Sequence, residues 1–231
     1  MSFSRQGRLT KSDAFSNLPD ALVIPLKQAR SYWHVWICLA FAAVFAAVAK
    51  PNAADEIKRL AALMEWKPGT VVADIGAGDG TYSFAALPYV GDSGKVFATE
   101  IDTEMLEKIR ARVKRRNLQN VSVIESAEAD TNLPSACCDA IFLRRVYHHL
   151  TKPGEFDANL VRSLKPGGRL AILDFPPRRG LEPVEGVPSN RGGHGIPQKI
   201  VIDELTAAGL QVEKIVNDWP ENSYCVLFMK K

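Results

Sequence analysis

An α/β fold, an open and mostly parallel sheet with helices on both faces, is predicted for this chain by three observations. From residue 55 onward, apolar runs of strand length alternate with helical patterns, the rhythm that crossover helices impose on a parallel sheet. A β-branched run ending in Asp74 passes directly into three glycines at alternate positions, Gly76, Gly78 and Gly80. The 231 residues, 46% apolar and 8% aromatic, suffice for one well-buried domain with a short appendage rather than for two full domains.

The appendage is a leader over residues 1–50, and residues 51–231 form the domain. In its first 49 residues, Arg5, Arg8, Lys11, Lys27 and Arg30 outweigh Asp13 and Asp20 and account for the whole formal charge of +3. The remaining residues hold 24 basic and 24 acidic side chains, a balance that gives no general attraction for nucleic acid. Residues 31–49, "SYWHVWICLAFAAVFAAVA", contain no formal charge and lie at the lower length limit for a membrane-spanning helix. Basic residues before the run, and Ala47-Val48-Ala49 at its end, also suit a secretory signal. The segment therefore reads as a signal or an uncleaved anchor, making the protein exported or membrane-associated, with a packed helix of a cytoplasmic protein as the alternative.

The first element of the domain is a helix over 55–66, where Ile57, Leu60, Ala61 and Met64 share one face and Pro68-Gly69 turns the chain. "TVVADIG" (70–76) is the first strand, and a helix begins near Thr81 after the glycines. "KVFATEI" (95–101) is the second strand. "TEMLEKIRARVKRRN" (103–117) is a helix with Thr103 as N-cap and Leu106, Ile109 and Val113 on its buried face. Six of the nine residues from Lys108 to Arg116 are basic; they fall on the other faces and complement the helix dipole. "VSVIE" (121–125) and "DAIFLR" (139–144) are strands three and four. "EFDANLVRSLKPGGRLAILDF" reads as a helix, a Pro-Gly-Gly turn and a buried fifth strand. The 22 residues from Pro176 to Pro197, with five prolines and five glycines, are too long for an idle connection and read as a substrate loop or mobile lid. A helix, "QKIVIDELTAAG", stopped by Gly209, leads into "QVEKIV" and "SYCVLFMK", close enough in sequence to pair as a hairpin. The cysteines, Cys38, Cys137, Cys138 and Cys225, form no C-x-x-C pair, so neither a zinc site nor a disulfide framework is read from them, and adjacent Cys137 and Cys138 are expected to pack.

The chemistry concentrates at the glycine turn. A strand, a glycine turn and a helix form a pocket at the carboxyl edge of a parallel sheet, where open α/β folds take ligands. A dinucleotide fingerprint would need its third glycine at Thr81, so the spacing speaks against a nicotinamide cofactor. Twenty residues past Gly80, Glu100 ends the next strand, where a carboxylate can accept hydrogen bonds from ribose hydroxyls.

These residues resemble the class I S-adenosylmethionine-dependent methyltransferases, from about Asp55 to the end of the chain. "DIGAGDG" matches their first motif, "ATEID" their second-strand acid, and "LKPGGRLAILDF" the turn into their fifth strand. "VYHHL", "HGIP" and the closing hairpin are similar to a bacterial, small-molecule branch. The resemblance implies a Rossmann-like sheet of seven strands with the last antiparallel, and S-adenosylmethionine as cofactor. It implies that Asp74 and the backbone of Gly76, Ala77, Gly78 and Gly80 hold the amino-acid end of the cofactor. Glu100 would hold its ribose, Ile101 would cover the adenine, and Ala127 and Glu128 are chosen from "ESAEAD" to meet the adenine amino group. Arg144 is the remaining candidate for the cofactor, and Tyr147, His148 and His149 are the catalytic candidates on the methyl-accepting side. His194, Asp174, Arg178 and Arg179 are further residues that could reach the acceptor.

Methyl transfer from a sulfonium is an in-line displacement with a good leaving group, so alignment supplies most of the acceleration and no metal is expected. A neutral nucleophile can still need a base. The acceptor is expected to be a small molecule, or lipid-like where the leader acts as an anchor. A protein that binds the cofactor without transferring the methyl group is the first alternative, and a nicotinamide-dependent oxidoreductase, which Glu100 favours and the glycine spacing opposes, is the second.

Overall fold

The structure is a computed structural model and describes residues 52–231. The apolar run at 31–49 lies outside the described residues, and among the described residues no helix is long and apolar enough to cross a membrane. Helix α1 (Ala53–Leu63) begins at Asn52, whose side chain accepts the Asp55 N–H at 2.9 Å. It is followed by β1 (Val71–Ile75), α2 (Thr81–Val90), β2 (Lys95–Glu100), α3 (Thr103–Arg115), β3 (Val121–Glu125) and β4 (Cys138–Arg144). A 3-10 turn at Tyr147–His149 precedes α4 (Pro153–Ser163), β5 (Leu164–Asp174), α5 (Gln198–Ala207), β6 (Leu210–Trp219) and β7 (Ser223–Lys230).

The seven strands form one sheet in the order β3-β2-β1-β4-β5-β7-β6. β7 alone runs antiparallel, between β5 and β6, as the family resemblance implies. The strand order reverses between β1 and β4, so their carboxyl ends diverge into a crevice at that point. The alternation along β4 shows why both faces are covered. Ile141 and Leu143 point into a core with Phe156 and Leu160 of α4 and Val201 and Leu205 of α5. Ala140 and Phe142 point the other way, onto Ile57 and Leu60 of α1 and Ala86 and Val90 of α2.

Three local expectations are corrected. Thr103 is the first helical residue of α3 rather than its cap; Asp102 precedes it and accepts the Met105 N–H at 3.0 Å. The Pro-Gly-Gly stretch is a bulge within β5, because Cys138 pairs with Leu164 but Ala140 pairs with Arg169, and the extruded residues include Gly167 at φ 72°. Cys137 and Cys138 are joined as a vicinal disulfide at the start of β4.

The long loop is tied down along its length. Ile196 N–H donates to Phe175, Arg178 N–H to His194, and Val184 N–H to Gly193. Arg191, 2% exposed, forks onto Glu204 of α5 with both bonds at 2.9 Å. Its Nη1 donates to the carbonyls of Tyr147 and Leu150, at either end of the 3-10 turn. A buried guanidinium with four bonds is a pin, so the loop is held against the histidine turn.

Candidate functional site: the crevice between β1 and β4

Gly76 leaves β1 at φ 67°, and a Cβ there would stand 2.5 Å from Cγ2 of Val146. Only glycine lets the first turn approach the end of β4 this closely. Gly80 caps α2 at φ 80°, and a Cβ there would meet the Phe84 ring at 2.8 Å. The turn is tied to β2 by Glu100: Oε2 accepts the Gly78 N–H at 2.7 Å, and Oε1 accepts those of Ile101 at 2.7 Å and Asp102 at 3.1 Å. Carboxylate oxygens have lone pairs beyond these bonds, so Glu100 both holds the turn and can accept from a diol.

In front of this turn lies a cavity of about 430 Å³, a size suited to a small-molecule ligand. Of the residues singled out for a cofactor, Gly76, Glu100, Ile101, Ala127 and Glu128 line it together. Ile101 is 59% exposed, an apolar plate at the mouth. Glu128 is held by the Thr151 hydroxyl and by Lys152 Nζ at 3.1 Å, and these partners keep its carboxyl below the usual range. Asp74, Ala77, Gly78 and Gly80 are not among the residues that line it. Ala77 packs with Phe84, Ala98 and Ile109. Asp74 is 2% exposed and accepts the Ser83 hydroxyl at 2.6 Å.

Burial, with the Glu100 charge adding to it and the Ser83 bond opposing, pushes the Asp74 carboxyl up to about 7 from 3.8. The folded protein therefore keeps a proton that the unfolded chain has released over that range. Stability is lost as pH rises from about 4 to 7, and the full penalty persists above it. Asp74→Asn is expected to raise unfolding stability by about 2 kcal/mol at pH 8 and to leave it unchanged near pH 4. Urea denaturation at the two pH values checks this; an equal change at both would contradict it.

Arg144, the remaining cofactor candidate, lies apart from the others. It is absent from the cavity and forks onto buried Glu56 of α1 at 2.9 and 3.0 Å. Glu56 also accepts from Tyr82 and from the Trp219 indole. Tyr147, the first of the catalytic candidates, is fully buried, and its hydroxyl donates to Asp157 at 3.0 Å. Burial, with the negative charge of Asp157, pushes the Tyr147 hydroxyl far above its ordinary range.

The two histidines of the turn have different surroundings. His149 lines the cavity. His148 is 3% exposed, and its Nδ1 lies 2.8 Å from Asp174 Oδ1. Asp174, at the end of β5, also accepts the backbone N–H of His148 and of Phe175. A carboxylate so placed makes Nδ1 the donor and turns Nε2 into the acceptor. The His148 ring stacks on His149 with centroids 4.0 Å apart, and His194 from the long loop closes to 5.5 Å of His148. Partial burial, then the neighbouring His148, lower the His149 imidazole below its usual 6.5, with Asp174 opposing. Val146 and Leu150, from the "VYHHL" segment, also line the cavity, and so do Thr151 and Phe156, which no motif marked because tertiary packing alone brings them there. Among the described residues, no group of three or more His, Cys, Asp or Glu side chains is arranged to hold a metal ion.

A glycine turn at the strand-order switch, with an acid on the neighbouring strand and an apolar plate beside it, defines a Rossmann-like nucleoside-binding domain. Residues 73–172, from β1 to β5, match the family described as a methyltransferase domain. The ubiquinone/menaquinone biosynthesis C-methyltransferase UbiE of Vibrio parahaemolyticus is 28% identical over 133 residues, covering 57% of this chain and 51% of the relative. The UbiE of Bordetella parapertussis is 32% identical over 109 residues, covering 47% and 42%. The chain thus spans about half the length of the curated relatives it matches. A SAM dependent methyltransferase from Aquifex aeolicus superposes with a TM-score of 0.64 at 29% identity, over 76% of this chain and 89% of that one. The chain is thus similar to the class I S-adenosylmethionine-dependent methyltransferases, in sequence over residues 73–172 and in fold over 76% of its length.

Proposed function

We propose that this protein transfers a methyl group from S-adenosylmethionine to a small-molecule acceptor. The observation that carries the reading is the single cavity in which Gly76, Glu100, Ile101, Ala127 and Glu128 meet His149. The cofactor supplies an electrophilic methyl group on a sulfonium. Glu100 accepts the ribose hydroxyls, Ile101 covers the base, and the glycine turn admits the amino-acid end. His149 takes the proton of the acceptor, and the His148–Asp174 pair positions it from behind. An imidazole lowered below 6.5 is unprotonated at neutral pH and ready to act as a base. The uncharged run at 31–49 supports export or membrane attachment, and with it a lipid-like acceptor.

The test follows label from methyl-labelled S-adenosylmethionine into the small molecules of a cell extract. Wild type is expected to transfer label, and His149→Ala to lose about 100-fold in rate while still binding the cofactor. The wild-type rate should hold from pH 8 to about 6.5 and fall below, as His149 takes up a proton. Cofactor binding without transfer, or an unaffected His149→Ala, would overturn the reading.

A further inference from the structure

Beside the cofactor cavity, at the same sheet edge, lies a second concavity of about 690 Å³, lined by Arg145, Pro176, Pro177, Arg178, Glu221 and Asn222. Arg145 directly precedes Val146, which lines the cofactor cavity. The two guanidiniums stand over the Phe175 ring, at 4.3 Å for Arg178 and 5.7 Å for Arg145. Phe175 meets His148 edge-on at 4.8 Å, and His148 stacks on His149. One continuous layer of rings therefore joins the arginine groove to the proposed base.

The groove already holds an oxyanion supplied by the chain itself. The Glu221 carboxylate pairs with Arg145, and Arg178 Nη2 donates to the Glu221 carbonyl at 3.0 Å. Arg145, Glu221 and Asn222 adopt φ of 57°, 59° and 56°, three of the seven non-glycine residues with positive φ among the described residues. Backbone in this region is costly and gathers at ligand clamps. Two cations face a single carboxylate here, leaving the groove one positive charge in excess. A half-exposed ion pair adds little net stability and exchanges readily.

We infer that this groove is an anion subsite for the methyl acceptor, taking a carboxylate or phosphate monoester between Arg145 and Arg178 as the Glu221 carboxylate swings away. The inference rests on the methyl-transfer reading of the neighbouring cavity. Guanidinium forks suit planar and tetrahedral oxyanions, and lysine would not replace them equally. Glu221 acts as an internal stand-in, competing with the ligand until an acceptor of the right charge displaces it.

The test titrates the full chain, with S-adenosylhomocysteine present, against phenyl phosphate, benzoate and benzyl alcohol. At least one of the two anions is expected to bind at least about tenfold more tightly than benzyl alcohol, and the stronger one names the acceptor's anion. Arg178→Ala should weaken that anion by about tenfold and Glu221→Gln should strengthen it several-fold, with S-adenosylhomocysteine affinity unchanged in both. Equal binding of the three probes, or anion affinity that neither substitution moves, overturns the subsite. Anion binding that depends on Arg178 in a protein that fails to bind S-adenosylhomocysteine would sustain the subsite and instead sink the methyl-transfer reading.

Discussion

Replacing Glu100 with alanine is expected to lower S-adenosylmethionine affinity by about 100-fold or more. Hydrogen bonds to a charged acceptor are worth about 1.5–3 kcal/mol each, and a ribose would lose two of them. The substitution also strips the acceptors from the N–H groups of Gly78, Ile101 and Asp102, so the glycine turn loses its tie to β2. Glu100→Gln should recover only part of the loss. Its amide keeps the shape, but one carboxylate oxygen becomes an NH2 that faces backbone donors. Calorimetric titration with S-adenosylmethionine, and with its demethylated product, reads both variants against wild type. Undiminished heats and affinity in Glu100→Ala would remove the ribose role.

The second large effect is on stability. Arg191→Ala should cost about 3 kcal/mol, because it leaves the Glu204 carboxylate without its fork, strips the Arg191 donor from the Leu150 carbonyl and leaves the Tyr147 carbonyl only the Leu150 N–H. Asp157 lies in the same pocket as Glu204, and its carboxyl is already pushed up to about 7 by burial. Removing the cation exposes each acid more fully to the other. The same change removes the Arg191 bond to the carbonyl of Leu150, which lines the cofactor cavity, so methyl transfer should fall with stability. Arg191→Lys should restore only part of both, since an ammonium cannot fork to Glu204 and reach two carbonyls together. Urea denaturation measures the first effect and label transfer the second; a loss below about 1 kcal/mol would mean that the pin carries no load.

Much of this was legible because periodicity is local. The strand runs read from residues 121–125 and 223–230 coincide with β3 and β7, and the helical face of Ile57, Leu60 and Ala61 is the one α1 buries. Gly76, Glu100 and Ile101 could be assigned to one pocket because a parallel sheet places the carboxyl ends of adjacent strands side by side. What escaped were partnerships set by packing. Arg144 is 88 residues from Glu56, and its guanidinium could be seen to point to α1 only once α1 lay on the face of the sheet. Tyr147 and His148 are adjacent in a 3-10 turn, yet one faces Asp157 and the other Asp174, a split that no spacing rule reveals. Arg191 read as one more polar loop residue, since its burial depends on how the long connection folds back.

The place of β7 between β5 and β6 carries a consequence for biosynthesis. Every residue from Arg169 to Asp174 in β5 pairs with a residue made 50 to 60 positions later, so the outer rim of β5 stays bare while the intervening chain is translated. A nascent chain halted before Ser223 would present an apolar, unpaired ribbon, the kind of surface that recruits chaperones or sticks to its neighbours. Assembly of this side of the sheet is thus held back until the ribosome has nearly finished the domain.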